Sequence, residues 1–205
     1  MKVLVLGANG RTGKLVVGCA VAKGYEVSVL VRNVGRFHHP GVRVIEGDAM
    51  KADDVLRAVN CQNAVVECIG GTAPWKYQTL EREAMRNIVT AMQKSEARWL
   101  LVVSAMGVSE SARQSPWWYR WLVVPTFLRG IIADKSAMEA VVRASGLDWV
   151  VVRAPILTDG AKSGKVRVLR NSEVGHAVTR ADLAVWLVEQ LESRVHVGQA
   201  VVVNS

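Results

Sequence analysis

A run of four apolar residues, Val3–Leu6, leads directly into Gly7-Ala8-Asn9-Gly10-Arg11-Thr12-Gly13, after which apolar residues recur at helical spacing. Few folds accept a buried strand, a glycine-rich turn and a helix in that order. Gly7 permits the tight turn, Gly10 lets the backbone approach a pyrophosphate, and Gly13 lets the helix pack against the strand. The helix N-terminus supplies N–H donors and positive potential for an anion. Gly7, Asn9, Gly10, Arg11, Thr12 and Gly13 therefore read as a dinucleotide-binding turn.

The rest of the chain keeps the alternation. Strands are predicted at Glu26–Val31, Val42–Glu46, Ala64–Cys68, Trp99–Val103, Trp149–Arg153 and Ala200–Val203. Helices are predicted at Gly13–Lys23, Ala52–Val59, about Thr79 to Lys94, Ile131–Ala144, and from a Thr179-Arg180-Ala181-Asp182 cap to about Glu192. Apolar strands alternating with helices imply an α/β doubly wound parallel sheet, a Rossmann fold, built as a single domain over residues 1–205. At 205 residues the chain is long enough to bury one continuous core. Ser109 to Arg129, with Pro116, Trp117, Trp118, Tyr119, Trp121 and Pro125, breaks the pattern and reads as irregular. With 154–178 it is expected to form a small substrate-side region.

The second clue stands at the end of the second strand. An NAD site places an acid there, on the ribose 2′-hydroxyl; this chain has Arg32, nineteen residues after Gly13, and Arg36 four residues later. A guanidinium pairs bidentately with a 2′-phosphate, so the expected cofactor is NADP(H) in preference to NAD(H).

Net charge is +8, with basic residues scattered singly. That suits a phosphate-rich small molecule, and a nucleic-acid partner is not expected. Three cysteines, without a C-x-x-C pair, argue against a disulfide framework or a zinc site, and His38, His39 and His176 lack partners at ligand spacing, so no metal is expected. The N-terminal apolar run is too short for a signal peptide and no stretch is long enough for a membrane span, which predicts a cytoplasmic protein. Glu81, Glu83 and Glu139 read as solvated helix faces.

Gly7–Gly13, Leu30-Val31-Arg32, Glu46-Gly47-Asp48, Arg86-Asn87-Ile88-Val89, Val103-Ser104-Ala105 and Ser145-Gly146-Leu147-Asp148-Trp149 together resemble the atypical short-chain dehydrogenase/reductase family. That family includes biliverdin-IXβ (flavin) reductases and the NmrA-like NADP-binding proteins. The resemblance implies that Asp48 meets the adenine amino group, with Ala49 packing on the ring. It implies further that Ile69, Gly70 and Gly71 run past the ribose and pyrophosphate. Pro155, Ile156 and Leu157 would close over the nicotinamide carboxamide. Ser104 is implied beside the nicotinamide and Lys135 on its ribose, as the two catalytic candidates.

The Tyr-x-x-x-Lys pair of ordinary members is missing: four residues beyond Tyr25, Tyr77 and Tyr119 stand Val29, Glu81 and Val123. A planar acceptor of the flavin, tetrapyrrole or quinone kind tolerates this, because it stabilises the charge left by hydride and takes its proton from solvent. A non-catalytic NADP-dependent sensor of the NmrA-like type also fits. The Trp117–Trp121 cluster suits a wall for a planar substrate, a dimer contact or a packed loop, leaving monomer and dimer both open.

Overall fold

The computed structural model describes residues 1–71, 73 and 75–205. In chain order its elements are β1 (Lys2–Leu6), α1 (Arg11–Ala22), β2 (Glu26–Val31), β3 (Val42–Glu46), α2 (Ala52–Val59), β4 (Ala64–Glu67), α3 (Leu80–Gln93) and β5 (Trp99–Ala105). There follow α4 (Val124–Thr126), α5 (Arg129–Arg143), β6 (Asp148–Ala154), β7 (Ile156–Thr158), β8 (Arg167–Val168), β9 (Ala177–Thr179), α6 (Arg180–Gln190) and β10 (Gln199–Asn204). The main sheet runs β3-β2-β1-β4-β5-β6-β10-β8. All its pairings are parallel except β10 with the short edge strand β8. Order reverses between β1 and β4, the switch point at which open α/β sheets bind ligands.

Alternation along β1 shows how the sequence builds two faces. Val3 and Val5 join α1 and α6, through Val16, Val17, Ala20, Leu183, Ala184 and Leu187. Leu4 and Leu6 turn the other way, onto Val55, Ile88, Met92 and Met138 of α2, α3 and α5. Thr179 caps α6 as the sequence implies: its hydroxyl accepts the Asp182 N–H at 3.0 Å and donates to the Asp182 carboxylate at 2.9 Å.

Two parts of the fold depart from expectation. Residues 154–178 contain β7, β8 and β9, with β7 and β9 paired in a separate two-stranded sheet. Ser109 to Arg129 is largely helical: a 3₁₀ turn spans Ser109–Gln114, and a π-helical turn at Tyr119–Val123 runs into α4. Tyr119 is buried with Met106, Leu169 and Val202, and Val123, Val124 and Leu128 pack on them. Four of the segment's ten apolar residues thus join a third small core that no simple period announces.

Candidate cofactor cleft

The C-terminal ends of β1, β2 and β4 enclose a cleft of about 520 Å³. Its floor is the glycine turn. Gly10 N–H donates to the Gly7 carbonyl at 2.9 Å, and Gly10 is the extended N-cap of α1. No side chain caps α1, so the N–H groups of its first turn remain free for an anion. Gly7, Asn9 and Gly10 line the cleft, whereas Gly13 lies beneath, against the turn. Arg11 points outward and pairs with Asp159, which also holds Arg180 at 2.7 Å. Lys14, one helical turn beyond Gly10, lines the cleft as well. It lies outside the glycine motif, but a cation beside a helix N-terminus that receives phosphate is a recognisable signal in the sequence.

Arg32 and Arg36 lie at the rim beyond β2, both exposed, with Asn33 between them in the lining. Neither pairs with a carboxylate among the described residues. Opposite them stand Asp48 and Ala49. The Asp48 carboxylate accepts the Met50 N–H at 3.0 Å, and Asn87 on α3 donates to the Ala49 carbonyl at 2.9 Å, which fixes this wall. Ile69 and Gly70 close the third side. Gly71, Pro155, Ile156 and Leu157 lie beyond this volume, the last three following β6. Cys68 lines the cleft, but burial pushes its thiol well above the ordinary range and leaves it a poor nucleophile.

Both catalytic candidates are engaged in buried contacts within the fold. Ser104 is buried and its hydroxyl donates to Glu139 at 2.6 Å. Lys135 is buried, donating to Glu81 at 2.5 Å and to the Val103 carbonyl at 3.1 Å. Neither head group is presented to the cleft; each braces the end of β5. Their partners Glu81 and Glu139 correct the expectation of solvated helix faces, being 2% and 1% exposed. α3 and α5 lie side by side over the sheet, so their facing carboxylates meet cations from distant parts of the chain. Glu83 does face solvent in part, between Arg82 and Arg86. His176 is exposed, and among the described residues no cluster of His, Cys, Asp and Glu is placed to hold a metal.

Two buried ionic networks result. Arg153, 1% exposed at the end of β6, grips Glu139 with two nitrogens at 3.0 and 2.6 Å and reaches Glu110 at 2.8 Å. That guanidinium holds the Glu110 carboxyl down at about 2. In the second network Asp134 accepts the N–H groups of Glu81 and Arg82, capping α3, while Lys135 pairs with Glu81. Glu67, buried nearby, accepts the Ile69 N–H at 2.6 Å through one oxygen, and the other has no partner among the described residues.

Burial outweighs the attraction of Lys135 and pushes the Glu67 carboxyl up to about 8 from 4.5. An acid that binds its proton more tightly when folded contributes stability below its unfolded value and loses it as pH rises through the folded one. Unfolding free energy should therefore fall between about pH 4.5 and pH 8. Glu67→Gln should flatten that slope in urea titrations at stepped pH; an unchanged slope would show that Glu67 is already ionised.

A cleft of this form, at the switch point of a parallel sheet, defines a dinucleotide-binding protein. The chain belongs to the NAD(P)H-binding family, whose pattern matches residues 7–194. Solved structures share the fold over the whole chain. The anaerobillin reductase ChuY of Escherichia coli O157:H7 is 22% identical with a TM-score of 0.84, covering 100% of this chain and 97% of that one. A short-chain dehydrogenase/reductase from Veillonella parvula, in complex with NADP, is 17% identical with a TM-score of 0.81, covering 100% and 94%. SP1627 from Streptococcus pneumoniae TIGR4, named as a candidate NADH-flavin reductase, is 21% identical with a TM-score of 0.78, covering 100% and 99%.

Proposed function

We propose that the protein is an NAD(P)H-dependent reductase that prefers NADPH and reduces a planar electron acceptor of the flavin, tetrapyrrole or quinone kind. The observation that carries the cofactor preference is the exposed, carboxylate-free pair Arg32 and Arg36 at the cleft rim. Two guanidiniums suit a 2′-phosphate, and an acid that would prefer the free 2′-hydroxyl is missing from the end of β2.

Under this reading Gly7, Asn9, Gly10 and the first turn of α1 (Arg11, Thr12, Gly13) receive the pyrophosphate, with Lys14 adding charge. Asp48 meets the adenine amino group and Ala49 packs on its ring, while Ile69, Gly70 and Gly71 follow the ribose and pyrophosphate. Pro155, Ile156 and Leu157 cover the carboxamide, beside a substrate region built from about 109–130 and 154–178. A bound nicotinamide would supply the hydride. Among the described residues no tyrosine stands in the cleft as a proton donor: the Tyr25 hydroxyl donates to Glu192 at 2.5 Å, at the edge away from the cleft, Tyr77 is largely exposed, and Tyr119 is buried. An acceptor that stabilises its own anion needs only orientation and exclusion of bulk water, and this favours planar conjugated substrates. The likeness to ChuY and SP1627 supports the same class.

NADPH oxidation measured in parallel with FMN, biliverdin and quinones tests the activity. Tight NADPH binding with no turnover of any of them would favour a non-catalytic sensor instead. For the preference, calorimetry should give NADPH about ten- to a hundred-fold tighter than NADH, the scale of one charge-assisted contact of roughly 1.5–3 kcal/mol. Arg32→Glu should abolish or reverse it. Equal affinities in the parent protein would sink the assignment.

A further inference from the structure

The small core around Tyr119 leaves the outer face of its segment uncovered. Trp117, Trp121, Leu122 and Phe127 are 72%, 66%, 59% and 52% exposed, and Trp118 stands open beside them. The loop before α3 extends the face: Trp75 meets Phe127 at 5.5 Å between ring centroids, and Arg129 lies over the Tyr77 ring at 5.6 Å. Arg120 stacks over Trp121 at 5.2 Å. From Ser111 to Ala133 there are three arginines, Arg113, Arg120 and Arg129, and neither Asp nor Glu, while Lys76 sits between Trp75 and Tyr77.

We propose that this face docks the protein peripherally onto an anionic lipid bilayer, with the indole rings at headgroup depth and the arginines on lipid phosphates. Trp and Tyr favour the membrane interface because each has an apolar body and a polar edge, and arginine keeps its charge in water while its stem lies along apolar surface. Aromatic and aliphatic groups interleaved with cations on short helical turns suit such an interface. Charge decides against a second copy as the occupant. In a two-fold dimer through this face, Arg120 and Arg129 of each copy would meet like charge, with no acid on the patch to answer them. Leu122 and Phe127 beside Pro125 give a partly aliphatic surface that lipid accommodates and nucleic-acid bases cannot stack on throughout. Among the described residues no helix is long and apolar enough to cross a membrane, so the contact lies on the surface.

Cosedimentation of the full chain with phosphatidylcholine vesicles, with and without phosphatidylglycerol, tests this independently of any turnover. Binding should require the anionic lipid, weaken with salt and shift tryptophan emission to the blue. Arg120→Ala with Arg129→Ala should lower the partition coefficient about thirty-fold, from roughly 1 kcal/mol per arginine near an anionic surface. Trp117→Ser with Trp121→Ser should lower it at least about ten-fold by removing inserted apolar area. All four side chains are exposed, so both variants should melt like the parent. Arg43→Ala with Lys94→Ala, equal in charge but outside this face, should bind vesicles as the parent does. Absence of binding to anionic vesicles, equal losses in the control variant, displacement by single-stranded DNA, or a dimer that Trp121→Ser dissociates without any vesicle binding would each overturn the proposal.

Discussion

Gly13→Ala should leave no stably folded protein, whereas Gly10→Val should fold and lose NADPH. A Cβ at Gly13 would stand 2.2 Å from the Gly7 oxygen, 2.8 Å from the Gly7 carbon and 2.9 Å from the Ala8 Cα, all backbone atoms that cannot swing aside. Ordinary overpacking costs about 1–3 kcal/mol, and a clash with three contiguous backbone atoms of the glycine turn should exceed that range. Gly7 is as constrained: its φ is +76°, and a Cβ would lie 2.4 Å from the Cys68 oxygen. Gly10 differs, since its nearest contact would be the Gly7 oxygen at 3.1 Å, so a side chain there projects into the cleft at small cost to the fold. Circular dichroism melts and calorimetry with NADPH separate the two effects. A Gly13→Ala variant that melts like the parent, or a Gly10→Val variant that keeps its affinity, would mean that the turn opens differently.

Arg153→Met should destabilise the protein by about 3–5 kcal/mol, the cost of leaving a buried charge without its partner. Glu139 would keep the Ser104 hydroxyl but lose both guanidinium bonds, and at 3.8 Å the half-exposed Arg143 is a poor replacement. Arg153→Met with Glu139→Met should recover much of the loss, because apolar residues of similar volume often replace a buried ion pair without penalty. Urea unfolding of the single and double variants measures the coupling. A single variant within about 1 kcal/mol of the parent would show that water reaches Glu139.

The turn and the adenosine side of the cleft were legible because their signals are local. Gly7 to Gly13 lie within one strand-turn-helix unit, and Arg32 is found by counting from them. The ionic networks were not legible. Glu81 and Lys135 are 54 residues apart in sequence, and nothing in either helix period says that α3 and α5 bring them together. The partner of Ser104 was hidden for the same reason: strand-end position gives its place on the sheet but not the Glu139 that accepts from its hydroxyl. The segment after β5 escaped because its inward residues serve a small core made with Leu169 and Val202, remote in sequence.

The helix that carries the glycine turn is held by the last helix of the chain. α1 packs on α6 through Val16, Val17, Leu183 and Leu187, and Glu192, just beyond α6, binds both Lys23 and Tyr25. Until residues past 180 have been synthesised, α1 has one face without a partner, and the parallel sheet still lacks β10. Contacts so distant in sequence form slowly, because the chain must close a long loop before they contribute. During synthesis, the glycine turn is therefore made rigid only after α6 and β10 have emerged from the ribosome, and cofactor affinity is acquired with them.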